Sequence, residues 1–170
     1  MREFFLTFCY VGKIKKAPGT FGSLAALVFW FLLSKYFFTQ EIALHQQNIF
    51  WGIFLTVAFI YGCLESVNYA KKFGQIDHQA IVLDEVVGQI LALQMMYNFM
   101  PRDYFFLHGV MALHLLFCFA AFRFFDITKP SFIGYCDKNF KNGFGVMFDD
   151  LVSGLVAGVL GIILILTLSI

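Results

Sequence analysis

The chain has 170 residues, 60% of them hydrophobic, with 12 Lys or Arg against 11 Asp or Glu and a formal net charge of +1. A soluble domain is nearer half apolar and about a quarter charged, so this composition disfavours a soluble globule, a disordered tail, a collagen-like fibre and a coiled coil, and leaves a multi-pass membrane protein. The lack of any cluster of surplus Lys and Arg argues against a nucleic-acid partner, and Cys9, Cys63, Cys118 and Cys136, far apart and without a CxxC pair, indicate neither a zinc site nor a disulfide framework.

A membrane span needs about 20 mostly apolar residues. In chain order, residues 4–11 are apolar but too short to cross and are expected at the interface. No small-residue cleavage pattern follows them. Residues 21–38 form the first expected span, with Lys35 near its far end where it can snorkel. Residues 48–64 form the second. Residues 86–100 are apolar but short, contain Gln89, Gln94 and Asn98, follow the acidic pair Asp84 and Glu85, and read as a span, a re-entrant segment or a buried amphipathic helix. Residues 104–122 form another span, and 151–170, free of charge, the clearest. Lys and Arg concentrate on the cytoplasmic side of a bilayer. With the N-terminus inside and 86–100 counted as a crossing, Arg2, Lys13, Lys15, Lys16, Lys71, Lys72, Arg123, Lys129, Lys138 and Lys141 all fall on that side. Only Lys35 and Arg102 fall at outer ends. The expected fold is therefore an all-α polytopic bundle, four clear transmembrane helices plus a fifth at 86–100, N-terminus cytoplasmic. With no repeat, linker or low-complexity tract, residues 1–170 read as one membrane-embedded domain. Nothing in the sequence sets an oligomeric state.

This topology gathers the uncommon residues on one face. Asp77, Asp84 and Glu85 enter the third segment, Asp126 and Lys129 leave the fourth, and Asp149 and Asp150 enter the last. The turn 17–20, followed by Gly22 and Ser23, opens the first. Residues four apart share a helix face. Asp150 thus heads Gly154 and Gly158, Asp149 heads Ser153 and Ala157, Asp84 heads Gly88 and Ala92, and Glu85 heads Gln89. Stripes of small residues let helix backbones approach closely in membranes, which turns the acids toward neighbouring helices. One acid at a helix start is commonly a cap or a partner of the macrodipole. Two adjacent pairs exceed what capping requires, and membrane-edge carboxylates in close company need cations or protons. Oxygen-only ligands suit Mg²⁺.

The chemistry narrows by elimination. Cys118 and Arg123 miss the C-x5-R spacing of a cysteine phosphatase by one residue, and there is no nucleotide-binding loop, H-E-x-x-H zinc site or G-x-S-x-G context. Carboxylates, a lysine, an arginine and hydroxyls fit metal-assisted hydrolysis of a phosphate ester. A cation or proton transporter using the same carboxylates is the alternative. It calls for acids distributed through the bilayer depth, whereas here they stop at one edge. A purely structural subunit leaves the paired acids unexplained.

The runs Ala-Pro-Gly-Thr-Phe-Gly-Ser-Leu (17–24), Ile-Val-Leu-Asp-Glu-Val-Val-Gly-Gln (81–89), Arg-Phe-Phe-Asp-Ile-Thr-Lys-Pro (123–130) and Gly-Phe-Gly-Val-Met-Phe-Asp-Asp (143–150) closely resemble the motifs of the bacterial phosphatidylglycerophosphatase A family. The resemblance implies an enzyme of the inner membrane, active on its cytoplasmic face among membrane lipids, that uses Mg²⁺ to hydrolyse phosphatidylglycerophosphate to phosphatidylglycerol and inorganic phosphate. Carried over residue by residue, it makes Asp84, Glu85, Asp126, Asp149 and Asp150 the candidates for metal binding and water activation. It assigns Lys129 to catalysis and to the substrate phosphate, and Arg123 to phosphate or to an ion pair with Asp126. Thr20 and Ser23, at a helix start, would present hydroxyls and backbone N–H groups to an anion. Asp77 matches a further acidic position. Phe132 stands where the family often has a second proline, Gly134 where a basic residue is common, and Lys15 and Lys16 lie in a usually less basic stretch.

Overall fold

The computed structural model describes residues 2–73, 78–100, 111–130, 132–140 and 142–167. Asp77 and Arg102 lie outside them. Among the described residues the regular structure is helical throughout: α1 (Arg2–Leu6), a 3-10 turn (Val11–Lys13), α2 (Pro18–Thr39), α3 (Leu44–Phe73), α4 (Leu83–Tyr97), α5 (Met111–Thr128), α6 (Phe132–Asn139) and α7 (Gly143–Thr167). Four stretches are long and apolar enough to cross a membrane: Pro18–Thr39, Leu44–Tyr69, Met111–Thr128 and Gly143–Thr167.

Each of these helices runs past the window that hydropathy marks. Hydropathy follows side chains, whereas a helix continues as long as its backbone ladder is satisfied. α3 begins among His45, Gln46 and Gln47 and ends beyond Asn68, because polar residues extend a helix out of the bilayer without breaking it. α5 continues through Arg123 and Asp126, so these residues sit within its last turns rather than after them. α7 begins at Gly143, making Asp149 and Asp150 its seventh and eighth residues.

α4 occupies the centre. With 15 residues it is about 22 Å long, shorter than the hydrocarbon core. Twelve of its positions are buried, and none is exposed. A helix that is apolar all round belongs inside a protein, and α2, α3, α5 and α7 all pack on this one, α7 most closely. The segment expected at 86–100 is thus a core helix clad by other helices. α4 and α7 meet backbone to backbone. A methyl group on Gly154 would strike the Gly88 carbonyl, and one on Gly88 would strike the Asp150 carbonyl and the Phe122 ring. Further along, Gly158 faces Met95 and Gly161 faces Met96. A buried polar chain ties three helices together: Trp30 Nε1 donates to Gln94 Oε1 at 2.9 Å, and Gln94 Nε2 donates to Asn48 Oδ1 at 2.7 Å.

The outward faces are apolar. Leu24, Val28, Leu32 and Tyr36 form an exposed stripe at four-residue spacing on α2, and Ile49, Ile53, Val57 and Ile60 form one at spacings of four and three on α3. In water such a surface would be unfavourable; in a bilayer it is solvated by acyl chains.

Candidate active site

Four helix ends build one polar cluster. The first turn of α2 is set by Ala17, whose left-handed φ of 50° turns the chain into the helix, and by Pro18 at its first position. Ser23, fully buried, donates its hydroxyl to the Gly19 carbonyl at 2.8 Å. Thr20 is half-buried in the same turn. Its N–H returns to the Ala17 carbonyl at 3.0 Å, so the hydroxyl is the group it can offer an anion.

Asp84 and Glu85 lie in the first turn of α4, where Asp84 Oδ1 accepts the Glu85 N–H at 3.0 Å. Asp149 and Asp150 reach them from α7. Asp84, Asp149 and Asp150 are 7%, 5% and 4% exposed. Asp84, Glu85 and Asp150 each bring one carboxylate oxygen within 4.8 Å of the others. Helix capping explains little of this. Asp149 and Asp150 stand beyond the first turn of α7, and Asp126 sits in the last turn of α5, where the helix dipole disfavours an anion.

The cations come from α5. Arg123 Nη1 pairs with Asp126 and lies 3.4 Å from Ser23 Oγ. Lys129 Nζ pairs with Asp149. Lys129 follows the last residue of α5 with φ of 42° and precedes Pro130, a position that favours neither left-handed nor helical backbone. The left-handed turn ends α5 and fixes where the ammonium starts.

In the cluster the acceptor Glu85 Oε2 and the donor Arg123 Nε are buried with no hydrogen-bond partner among the described residues. They belong to side chains that meet at Gly19, whose missing Cβ leaves room for the Glu85 carboxylate and for Arg123 Nη1, the latter at 3.2 Å from where that atom would be. Clustered buried carboxylates with an unsatisfied oxygen fit a hard divalent cation, and an unsatisfied guanidinium N–H beside them fits an anion.

Every site residue named from the sequence, Asp77 aside, therefore belongs to the four elements that converge here. Sequence reasoning passed over Gly19 as a packing partner of Glu85. It placed Gln89 beneath Glu85 without giving it a role; the side chain is fully buried, its Nε2 faces Cys118 Sγ at 3.9 Å and its Oε1 has no partner among the described residues. The i+4 spacing from Glu85 was the available signal for Gln89. Nothing local in the sequence marks Gly19.

The sequence profile of the phosphatidylglycerophosphatase A family matches residues 4–165. The chain belongs to that family. It is 35% identical to a phosphatidylglycerophosphatase A of Haemophilus influenzae over 146 residues, 86% of this chain and 77% of that protein. With the phosphatidylglycerophosphatase A of Escherichia coli it shares 34% over 144 residues, 84% of this chain and 72% of that one. A Bacteroides thetaiotaomicron protein with the provisional name phosphatidylinositol-3-phosphatase is 32% identical over 144 residues, 85% of this chain and 80% of that protein. No solved structure matches the chain.

Proposed function

We propose that this protein hydrolyses phosphatidylglycerophosphate to phosphatidylglycerol and inorganic phosphate, in phospholipid biosynthesis at the cytoplasmic face of a bacterial inner membrane. The observation that carries the reading is the convergence of Asp84, Glu85, Asp126, Asp149 and Asp150 with Lys129 and Arg123 at one end of an apolar bundle, in a member of this family. Asp84, Glu85 and Asp150 would hold Mg²⁺, with Asp126 and Asp149 beside them. Bound there, Mg²⁺ would offset phosphate charge and increase the acidity of water. Lys129 and Arg123 each exchange part of a carboxylate contact for the substrate phosphate, the Thr20 hydroxyl fixes its orientation, and Ser23, its proton committed to the Gly19 carbonyl, orders the turn. In the reaction the water oxygen joins phosphorus, the bond from phosphorus to the terminal glycerol oxygen breaks, and one water proton ends on that oxygen. The four helices packed around α4 hold these carboxylates in place while the lipid approaches from the side.

The test is phosphate release from phosphatidylglycerophosphate by the purified protein in detergent, with Mg²⁺ and then with a chelator. The expected result is release that stops on chelation. Release that continues at full rate in excess chelator removes Mg²⁺ from the reading. No release from folded protein removes the substrate, with phosphatidylinositol 3-phosphate as the comparison because of the Bacteroides relative's name. Cation flux in proteoliposomes would favour a transporter instead.

A further inference from the structure

An apolar groove of about 630 Å³ lies between α1 and α3, lined by Phe4, Phe5, Phe8, Phe54, Ala58 and Leu83 among others. Its volume is in the range that holds a small organic ligand, about 300–1,000 Å³. On α3 the lining runs from Phe50 to Tyr61, about 16 Å along the helix axis. Ile53 and Val57 belong both to this lining and to the exposed outer face of α3, so the groove opens toward the acyl chains around the bundle.

One end is tied to the polar cluster. Phe5 meets Tyr61 edge-on at 6.0 Å, and the adjacent Leu6 carbonyl accepts the Val82 N–H at 3.1 Å. The start of α4 therefore sits at the Tyr61 end. There Leu83 lines the groove, and the next residue, Asp84, belongs to the carboxylate cluster. Ion pairs hold α1 over this end: Arg2 to Glu65 at 3.6 Å and Lys13 to Glu3 at 3.1 Å. An occupant that is apolar along its length, enters from the bilayer and carries a phosphate at one end matches this arrangement.

We propose that the groove between α1 and α3 is an acyl-chain subsite for the phosphorylated lipid, with the chain running along α3 from the carboxylate end toward Phe50. The subsite rests on the reading of the cluster as a lipid-phosphate site. It makes acyl length a determinant of selectivity, and it gives α1 the role of a cover over the chain.

The experiment compares phosphatidylglycerophosphate carrying two hexadecanoyl chains with the dihexanoyl form, in wild type, Ala58→Trp, Val57→Trp and, as a control on the lipid-facing side of α5, Leu116→Trp. The expected result is that the long-to-short ratio of kcat/KM falls about tenfold or more in Ala58→Trp and Val57→Trp, the loss that displacing about two buried methylenes brings. The ratio in Leu116→Trp stays within twofold of wild type. Ratios that stay within twofold in folded Val57→Trp overturn the subsite. A wild type that releases no phosphate overturns the reading of the reaction instead. The groove is then read separately, by photolabelling the protein in nanodiscs with phosphatidylglycerol that bears a diazirine on one acyl chain. Labelling of Phe54 and Ala58 well above Leu116 supports the subsite, and equal labelling overturns it.

Discussion

Gly19 carries no side chain at the one place on α2 where the Glu85 carboxylate and Arg123 press against the backbone. Gly19→Ala is expected to displace Glu85 and to lower kcat/KM more than it lowers the melting temperature, a split that parallel activity and unfolding measurements read. Asp84→Asn and Asp149→Asn keep volume but remove charge. Each is expected to reduce phosphate release on the order of a hundredfold or more, since outer-shell partners of metal ligands alone are typically worth 10–100-fold. Retention of full activity in both would refute their assignment. Lys129 stands in left-handed backbone that costs about 1–2 kcal/mol for a residue with a Cβ. Lys129→Gly should therefore be more stable than Lys129→Ala by about 1–2 kcal/mol, since both lose the pair with Asp149, while each raises KM for substrate. The residue types at the cluster were legible because paired acids are rare in so apolar a chain. Gly19 was not, because its importance lies in what approaches it from α4 and α5, a tertiary fact with no local pattern.

Helices were legible as apolar windows, but their ends were not, since polar residues such as Gln46 or Arg123 continue a helix beyond the greasy stretch that betrays it. The difference matters for Asp149 and Asp150, which the windows place before a helix and the structure places in its second turn. α4 was the ambiguous segment because a helix buried in protein and one bathed in lipid are both apolar; length alone separates them. Its seam with α7 depends on glycine. Gly154→Ala forces a methyl into the Gly88 backbone and is expected to destabilise by about 1–3 kcal/mol. Gly52→Ala on α3, where no atom lies within 4 Å of the new carbon, is expected to be neutral or stabilising by up to about 1 kcal/mol from helix propensity alone. Thermal unfolding in detergent checks both. Gln94→Leu removes the acceptor of Trp30 Nε1 and the donor to Asn48, for an expected cost of about 0.6–1.7 kcal/mol. Trp30 fluorescence reports the loss of that hydrogen bond.

The molecule as a whole is arranged as an apolar bundle with its buried carboxylates concentrated where α2, α4, α5 and α7 meet. The paired acids made that clustering readable in advance, whereas the concentric layering, one helix inside a ring, follows from contacts between segments far apart in sequence. The layering bears on how the protein responds to its solvent. A helix that touches lipid must tilt, or deform the bilayer, when the hydrocarbon thickness departs from its own length. α4 has no exposed residue, so thickness mismatch reaches Asp84 and Glu85 only through their packing, whereas Asp126, Asp149 and Asp150 ride on α5 and α7, which face lipid themselves. Turnover in vesicles of phosphatidylcholine of graded chain length is thus expected to peak where the hydrocarbon thickness matches the outer helices and to fall on either side. Bilayer thickness is in this way expected to set the spacing between the carboxylates held by the inner helix and those carried by the outer ones.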